Sequence, residues 1–263
     1  MIACRVYAYV PVSYLNMKHT IKTTVFLVLI LSFCSCKSDD GIGIDPNSEP
    51  NDGLKIMPLG ASRVEGDRPE FESYRYELWK LMVDAGWEFD YIGTREDEAS
   101  YPSHSNRNFD LDHEGRGGWT SGQILAGLDS WMQSAGVPDI VLFSSPAGND
   151  ALEGLDYEQA IDNINSAIDM IQAANADVTI IIEQLAPGQS EIMTGDLLTY
   201  FNDIQADILK VASTQTTSTS KVIAVDMFSG FTDELLADDV HYNEAGARFV
   251  AARYFAALEP YFD

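Results

Sequence analysis

From Leu54 onward, short apolar runs alternate with segments whose apolar residues recur at helical spacing, and this alternation limits the possible folds more than any other feature. The runs are Leu54–Leu59, Phe89–Gly93, Ile140–Phe143, Val178–Ile182 and Val222–Val225. Runs that are apolar at nearly every position, rather than at every second one, have both faces buried, as in a parallel sheet covered by helices on each side. Between them lie helical stripes: Phe71, Tyr74, Leu78, Leu81, Met82 and Ala85; Ile124, Leu125, Leu128, Trp131 and Met132; Ile161, Ile164, Ile168 and Ile171; Leu197, Leu198, Phe201, Ile204, Ile208 and Val211; Ala245, Phe249, Ala252 and Ala256. Helix ends are marked too. Gly86 stops the first, Thr120 with Gln123 forms a capping box for the second, and Asp156 and Asn243 are N-caps for the third and fifth. The expected fold class is α/β, a three-layer α/β/α sandwich on a five-stranded parallel sheet. Thr94 to Gly118 reads as a long polar loop.

The first 36 residues read as an export segment. Met17-Lys18-His19-Thr20-Ile21-Lys22 is basic, and the apolar run Thr23–Phe33 is too short to span a bilayer, as in the core of a signal peptide. Met17 is expected to be the true start. Phe33-Cys34-Ser35-Cys36 resembles the lipobox of bacterial lipoproteins, with Cys36 the lipidated residue, although Phe33 replaces the usual Leu. Lys37-Ser38-Asp39-Asp40 is similar to the acidic export signal of surface-displayed lipoproteins. An ordinary cleaved secretion signal is the alternative. Residues 37–53, rich in Asp, Gly and Pro, cannot bury a core and read as a tether; 54–263 is the one folded domain. The protein is therefore expected to be lipid-anchored at a bacterial outer membrane or cell surface, or else secreted or periplasmic.

Charge narrows the partners. The chain has 41 acidic against 16 basic residues, a net charge of −25, which argues against nucleic acid or anionic lipid as partner. All three cysteines (Cys4, Cys34, Cys36) precede Lys37, so the folded domain has neither disulfide nor thiolate chemistry.

Ligands of such sheets bind beyond the carboxyl ends of the strands. Gly60-Ala61-Ser62 ends the first apolar run in a turn of small residues that would present the Ser62 hydroxyl at the sheet rim. Gly117-Gly118-Trp119-Thr120, Ala147-Gly148-Asn149-Asp150 and Asp238-Asp239-Val240-His241 fall in comparable places. Beyond Cys36 the histidines are His104, His113 and His241, and of these His241 has a carboxylate, Asp238, three residues upstream. On a turn that spacing lets Asp238 accept the Nδ1 proton and leaves Nε2 to take a proton from a serine; a structural histidine at the last helix is the alternative. Gly118, through close backbone approach, and Asn149, through its side-chain N–H, could serve as oxyanion donors. Asp110, Asp112 and Glu114 echo a calcium loop, but the twelfth position from Asp110 is Ser121 rather than Glu. Arg75 reads as a structural residue facing Glu72 or Trp79. Trp119 could line a sugar subsite or simply pack. Neither a phosphate-binding Gly-x-x-x-x-Gly-Lys-Ser/Thr loop nor a Gly-x-Ser-x-Gly elbow is present.

Taken in order, Ile56-Met57-Pro58-Leu59-Gly60-Ala61-Ser62, Tyr74-Arg75-Tyr76-Glu77-Leu78-Trp79, Asp112-His113-Glu114-Gly115-Arg116-Gly117-Gly118-Trp119, Pro138-Asp139-Ile140-Val141, Gly148-Asn149-Asp150 and Asp238-Asp239-Val240-His241-Tyr242-Asn243 resemble the SGNH (GDSL) hydrolase superfamily, most closely carbohydrate esterase family three. The resemblance spans Lys55 to Pro260. It implies a flavodoxin-like sandwich with Ser62 as nucleophile, His241 as general base and acid, Asp238 orienting it, and Ser62, Gly118 and Asn149 as oxyanion donors. It implies no metal and no organic cofactor. Two positions depart from the family pattern: Ala61 stands for the aspartate of Gly-Asp-Ser, and Ala147 for the glycine two residues before the asparagine.

The implied function is a serine esterase removing acetyl or other short acyl groups from oligo- or polysaccharides, as a monomer. A lysophospholipase or thioesterase on the same fold is the enzymatic alternative, and a surface glycan-binding lipoprotein without turnover is the non-enzymatic one.

Overall fold

A computed structural model describes residues 53–262. The export segment, lipidation at Cys36 and nearly all of the tether lie outside the described residues. Seven strands form the sheet: β1 (Leu54–Gly60), β2 (Phe89–Tyr91), β3 (Arg95–Glu96), β4 (Asp112–Gly115), β5 (Ile140–Phe143), β6 (Thr179–Gln184) and β7 (Lys221–Asp226). The helices are α1 (Ser62–Glu65), α2 (Arg75–Asp84), α3 (Ser121–Ala135), α4 (Gly148–Glu153), α5 (Tyr157–Ala174), α6 (Gly195–Gln215) and α7 (Glu244–Leu258).

The five expected strands are β1, β2, β5, β6 and β7, all parallel, in the order β2-β1-β5-β6-β7. The stretch read as a loop holds the other two. β4 pairs parallel with the last residues of β1, Leu59 opposite Glu114 and Gly60 opposite Gly115, continuing the flank that β2 occupies at Leu54–Ile56. β3 pairs antiparallel with β4. These two strands escape a hydrophobicity reading because their residues are charged or glycine: Arg-Glu and Asp-His-Glu-Gly. Ladder hydrogen bonds, not apolar burial, define them.

Side chains alternate between two cores, as strand geometry requires. Ile56, Ile140, Leu142 and Ile181 face a layer containing α2 and α7. Met57, Leu59, Val141, Phe143, Ile180 and Ile182 face α3, α5 and α6. All ten are at most 2% exposed, and each contributes about 1.5–3 kcal/mol by leaving water. The expected caps hold. Thr120 and Gln123 make the capping box, Asp156 accepts from the Gln159 amide, and Asn243 accepts from the Ala245 and Gly246 amides. The first stripe is corrected at its start: α2 begins at Arg75, and Phe71 lies ahead of it in an antiparallel bridge to Asp67.

After β1 the chain crosses to β2 on one side, and the next long crossover reaches β5 on the other. The crevice between the carboxyl ends of β1 and β5 is the switch point where ligands of such sheets bind. Among the described residues no helix is long and apolar enough to cross a membrane.

Candidate active site

β1 delivers the Gly60-Ala61-Ser62 turn to that crevice. A Cβ on Gly60 would lie 2.7 Å from the Ser144 carbonyl oxygen, so only glycine lets the strand end this close to the loop after β5. Ala61 caps the one-turn helix α1 through its carbonyl, which accepts the amides of Val64 and Glu65 at 3.0 Å, and Ser62 is its first residue.

A single turn of helix leaves carbonyls without intrahelical partners. Arg75, with no exposed surface, donates to Val64 O at 2.7 Å, Glu65 O at 3.0 Å and Leu111 O at 3.2 Å, and pairs with Asp97 at 2.8 Å. The structural role read for it holds, but its partner is Asp97 rather than Glu72 or Trp79; Glu72 pairs with Arg68 at 2.9 Å. The cause is the later start of α2, which aims a first-turn side chain back toward α1.

Arg63, the neighbour of Ser62, ties the other end of the turn. Its Nε donates to Val240 O at 2.8 Å, one residue before His241, and its other nitrogens donate to Ala186 O at 2.7 Å and Pro187 O at 3.0 Å. Its guanidinium also lies 4.7 Å from the centre of the Tyr242 ring. Nothing in its sequence spacing signals this role.

The loop before α7 supplies the imidazole. His241 Nε2 lies 2.8 Å from Ser62 Oγ, and His241 Nδ1 lies 2.7 Å from Asp238 Oδ2. Asp238 Oδ1 accepts the amides of Val240 and His241 at 2.9 and 2.7 Å. Burial opposes ionisation of Asp238, but these hydrogen bonds and the imidazole outweigh it and hold its pKa below the ordinary value. The capping role is taken by Asn243, not His241. Phe71 stacks on the imidazole, ring centres 3.9 Å apart and planes 13° from parallel. Its place in a helical stripe concealed that contact.

Gly118 and Asn149 border the same cleft as Ser62 and His241, a space of about 700 Å³. Gly118 has φ of +75°, a left-handed conformation that favours glycine. Glu65 steadies this turn, accepting the Gly117 amide at 2.7 Å and pairing with Arg95 at 2.9 Å. Asn149 Nδ2 donates to the Trp119 carbonyl at 2.8 Å, which fixes the amide and leaves its second hydrogen available. Trp119 itself packs on Trp131, with the Arg116 guanidinium 5.3 Å from its ring centre; the packing reading is the one the contacts favour.

Two of the carboxylates that echoed a calcium loop accept backbone amides instead. Asp110 accepts from the Tyr91 amide at 2.8 Å, while Glu114 accepts from the Thr94 amide and pairs with Arg116. Among the described residues no three His, Cys, Asp or Glu side chains converge as a metal site would need. His113 also borders the cleft, but burial, reinforced by Arg75, Arg95 and Arg116, lowers its pKa to about 2. It stays neutral at ordinary pH, its Nδ1 accepting from the Gly115 amide at 3.0 Å.

The sequence profile of the GDSL-like lipase/acylhydrolase family matches residues 84–249, a span that holds Gly118, Asn149, Asp238 and His241 and starts after Ser62. The chain belongs to that family. It is an ester-hydrolysing enzyme. Among solved structures it is similar to a carbohydrate esterase family 3 protein from Talaromyces cellulolyticus, with 26% identity, 80% of this chain and 98% of that chain covered, and a TM-score of 0.69. A family 3 carbohydrate esterase from Clostridium thermocellum shares 26% identity over 80% of this chain and 99% of that one, at a TM-score of 0.64. An acetyl xylan esterase shares 18% identity over 78% and 100% of the two chains, with a TM-score of 0.59, a likeness of fold. No curated protein matches the chain at a significant level.

Proposed function

We propose that this acylhydrolase is a serine esterase that removes acetyl and other short acyl groups from carbohydrates. The observation that carries the reading is the continuous hydrogen-bonded chain Ser62–His241–Asp238 at the rim of a charged cleft. Ser62 Oγ attacks the ester carbonyl while His241 Nε2 takes its proton. The oxyanion is held by the amides of Ser62 and Gly118 and by Asn149 Nδ2, each donor worth about 3–4 kcal/mol to the transition state. The tetrahedral intermediate then breaks its bond to the alcohol oxygen, which leaves with the proton from His241. Water, giving a proton to His241, attacks the acyl-serine; the second tetrahedral intermediate then breaks its bond to Ser62 Oγ, which takes that proton back from His241 as the acid is released. Asp238 keeps the Nδ1 proton and the ring orientation.

Leaving-group class follows from the walls of the cleft. Asp67, Arg68, Arg95, Glu96 and Glu98 line it, side chains that hydrogen-bond hydroxyls and do not solvate a lipid tail. The similarity to carbohydrate esterases supports the same reading. Acetate release from acetylated xylan is the test. Ser62→Ala should lower kcat by about 10⁴-fold or more while leaving the fold intact. Full turnover in that variant would overturn the assignment.

A further inference from the structure

Ser62 and Asn149 border a second space besides the cleft, a pocket of about 70 Å³ whose walls include Leu185, Met193, Leu197, Phe201 and Ile204. Leu185 and Ile204 are buried, whereas Leu152, 48% exposed, borders both spaces and marks where they meet. The two spaces differ in chemistry: charged side chains share the cleft wall with Phe71 and Leu152, whereas the pocket surface is mainly aliphatic and aromatic, with Arg63, Ser145 and Asn149 at polar positions. An ester carbonyl within reach of Ser62 Oγ and the Asn149 amide has two limbs to place. The hydroxyl-rich alcohol is stabilised by the polar cleft, and the hydrocarbon of the acyl group by the apolar pocket. An acetyl methyl would leave most of the pocket vacant: one water-sized group needs ~10–15 Å³, so about 70 Å³ admits roughly five.

We infer that this pocket is an acyl subsite for chains of about four to six carbons, so that butanoyl to hexanoyl esters are better substrates than acetyl esters. The inference rests on Ser62 as the nucleophile of the proposed esterase. Each methylene transferred from water into the pocket raises kcat/KM about fourfold, so butanoate, with two more methylenes, should exceed acetate by about fifteenfold.

The experiment compares kcat/KM for 4-nitrophenyl acetate, butanoate, hexanoate and dodecanoate, which share one leaving group. The expected profile rises from acetate to butanoate or hexanoate and falls by dodecanoate. An acetate maximum, or no dependence on length, overturns the subsite. Leu197→Trp, which fills the pocket, should lower the butanoate-to-acetate ratio by about tenfold; an unchanged ratio counts against it. A binding arm separates this inference from the nucleophile assignment. Calorimetry on Ser62→Ala should find hexanoate bound about tenfold or more tightly than acetate, and equal binding overturns the subsite. Full ester turnover by Ser62→Ala, by contrast, removes the nucleophile assignment while the binding comparison still decides the pocket.

Discussion

The turn that carries Ser62 is held by two arginines donating into backbone carbonyls, whereas the loop that carries Asn149 is held by a buried carboxylate accepting N–H and O–H groups. Around α1, Arg75 and Arg63 reach six carbonyl oxygens between them. After β5, Glu183 accepts the Ser145 amide at 2.7 Å and the Tyr254 hydroxyl at 2.7 Å, with no exposed surface of its own. The sign of each clamp follows from the backbone groups each segment leaves unpaired. Their consequences differ. Guanidinium stays charged at every accessible pH, so the Ser62 clamp is insensitive to pH. A buried carboxyl does not: burial raises the Glu183 pKa, against the hydrogen bonds from Tyr254 and Ser145 and the charge of Arg63.

The largest expected break is on the Ser62 side. Arg75→Met strands three carbonyls and leaves Asp97 without its counter-ion, and should cost about 3–5 kcal/mol of stability, read from urea unfolding. A loss below about 1 kcal/mol would mean that α1 holds itself. Arg63→Met comes next. It unties Ser62 from the carbonyl preceding His241, and kcat should fall about 10–100-fold with KM little changed. An equal rise in KM would instead point to a role in binding.

The Glu183 clamp is sharpened by pH. With its native pKa raised, the folded protein keeps a proton that the unfolded chain releases, so this group's stabilisation is complete below the ordinary glutamate value of 4.5 and is lost as pH rises through the native pKa. Glu183→Gln should remove that decline, and the stability difference between wild type and variant should therefore change with pH above 4.5. A constant difference would make the carboxylate clamp as insensitive as the arginines.

The smallest effect tests the strain in the same loop. Ala147, at φ +60° and ψ 18°, sits in the left-handed region, as does Ser145 at φ +46°. A non-glycine residue there costs about 1–2 kcal/mol, and glycine's greater freedom in the unfolded chain offsets part of that. Ala147→Gly should raise stability by about 0.5–1 kcal/mol in thermal unfolding. A loss would show that the buried Ala147 methyl outweighs its backbone strain.

The departures from the family pattern therefore have different physical standing. Ala147, where the family has glycine, carries a backbone cost that the structure reveals as its left-handed conformation. Ala61 lacks a carboxylate, yet the Ser62 turn is fixed by Arg63 and Arg75, whose contacts span as much as 177 residues of chain. The same division runs through the fold. Hydrophobic runs and caps made β1, β2, β5, β6, β7 and the five long helices legible, because burial and capping act on neighbouring residues. β3 and β4 were not legible, because charged residues enter a sheet there through ladder hydrogen bonds to distant strands.

At the site, residue types and the three-residue spacing of Asp238 and His241 made Ser62, Gly118, Asn149, Asp238 and His241 candidates, and the family resemblance assigned them as a set. Spacing could not give Phe71 against the imidazole, Arg63 on the His241 loop, or Glu183 under the Asn149 loop. Sequence by itself determined the alternating layers and which groups could do chemistry, since those depend on local composition and period. Only the tertiary structure decided what holds Ser62 2.8 Å from His241, because the partners that hold it are set by where the chain returns in space.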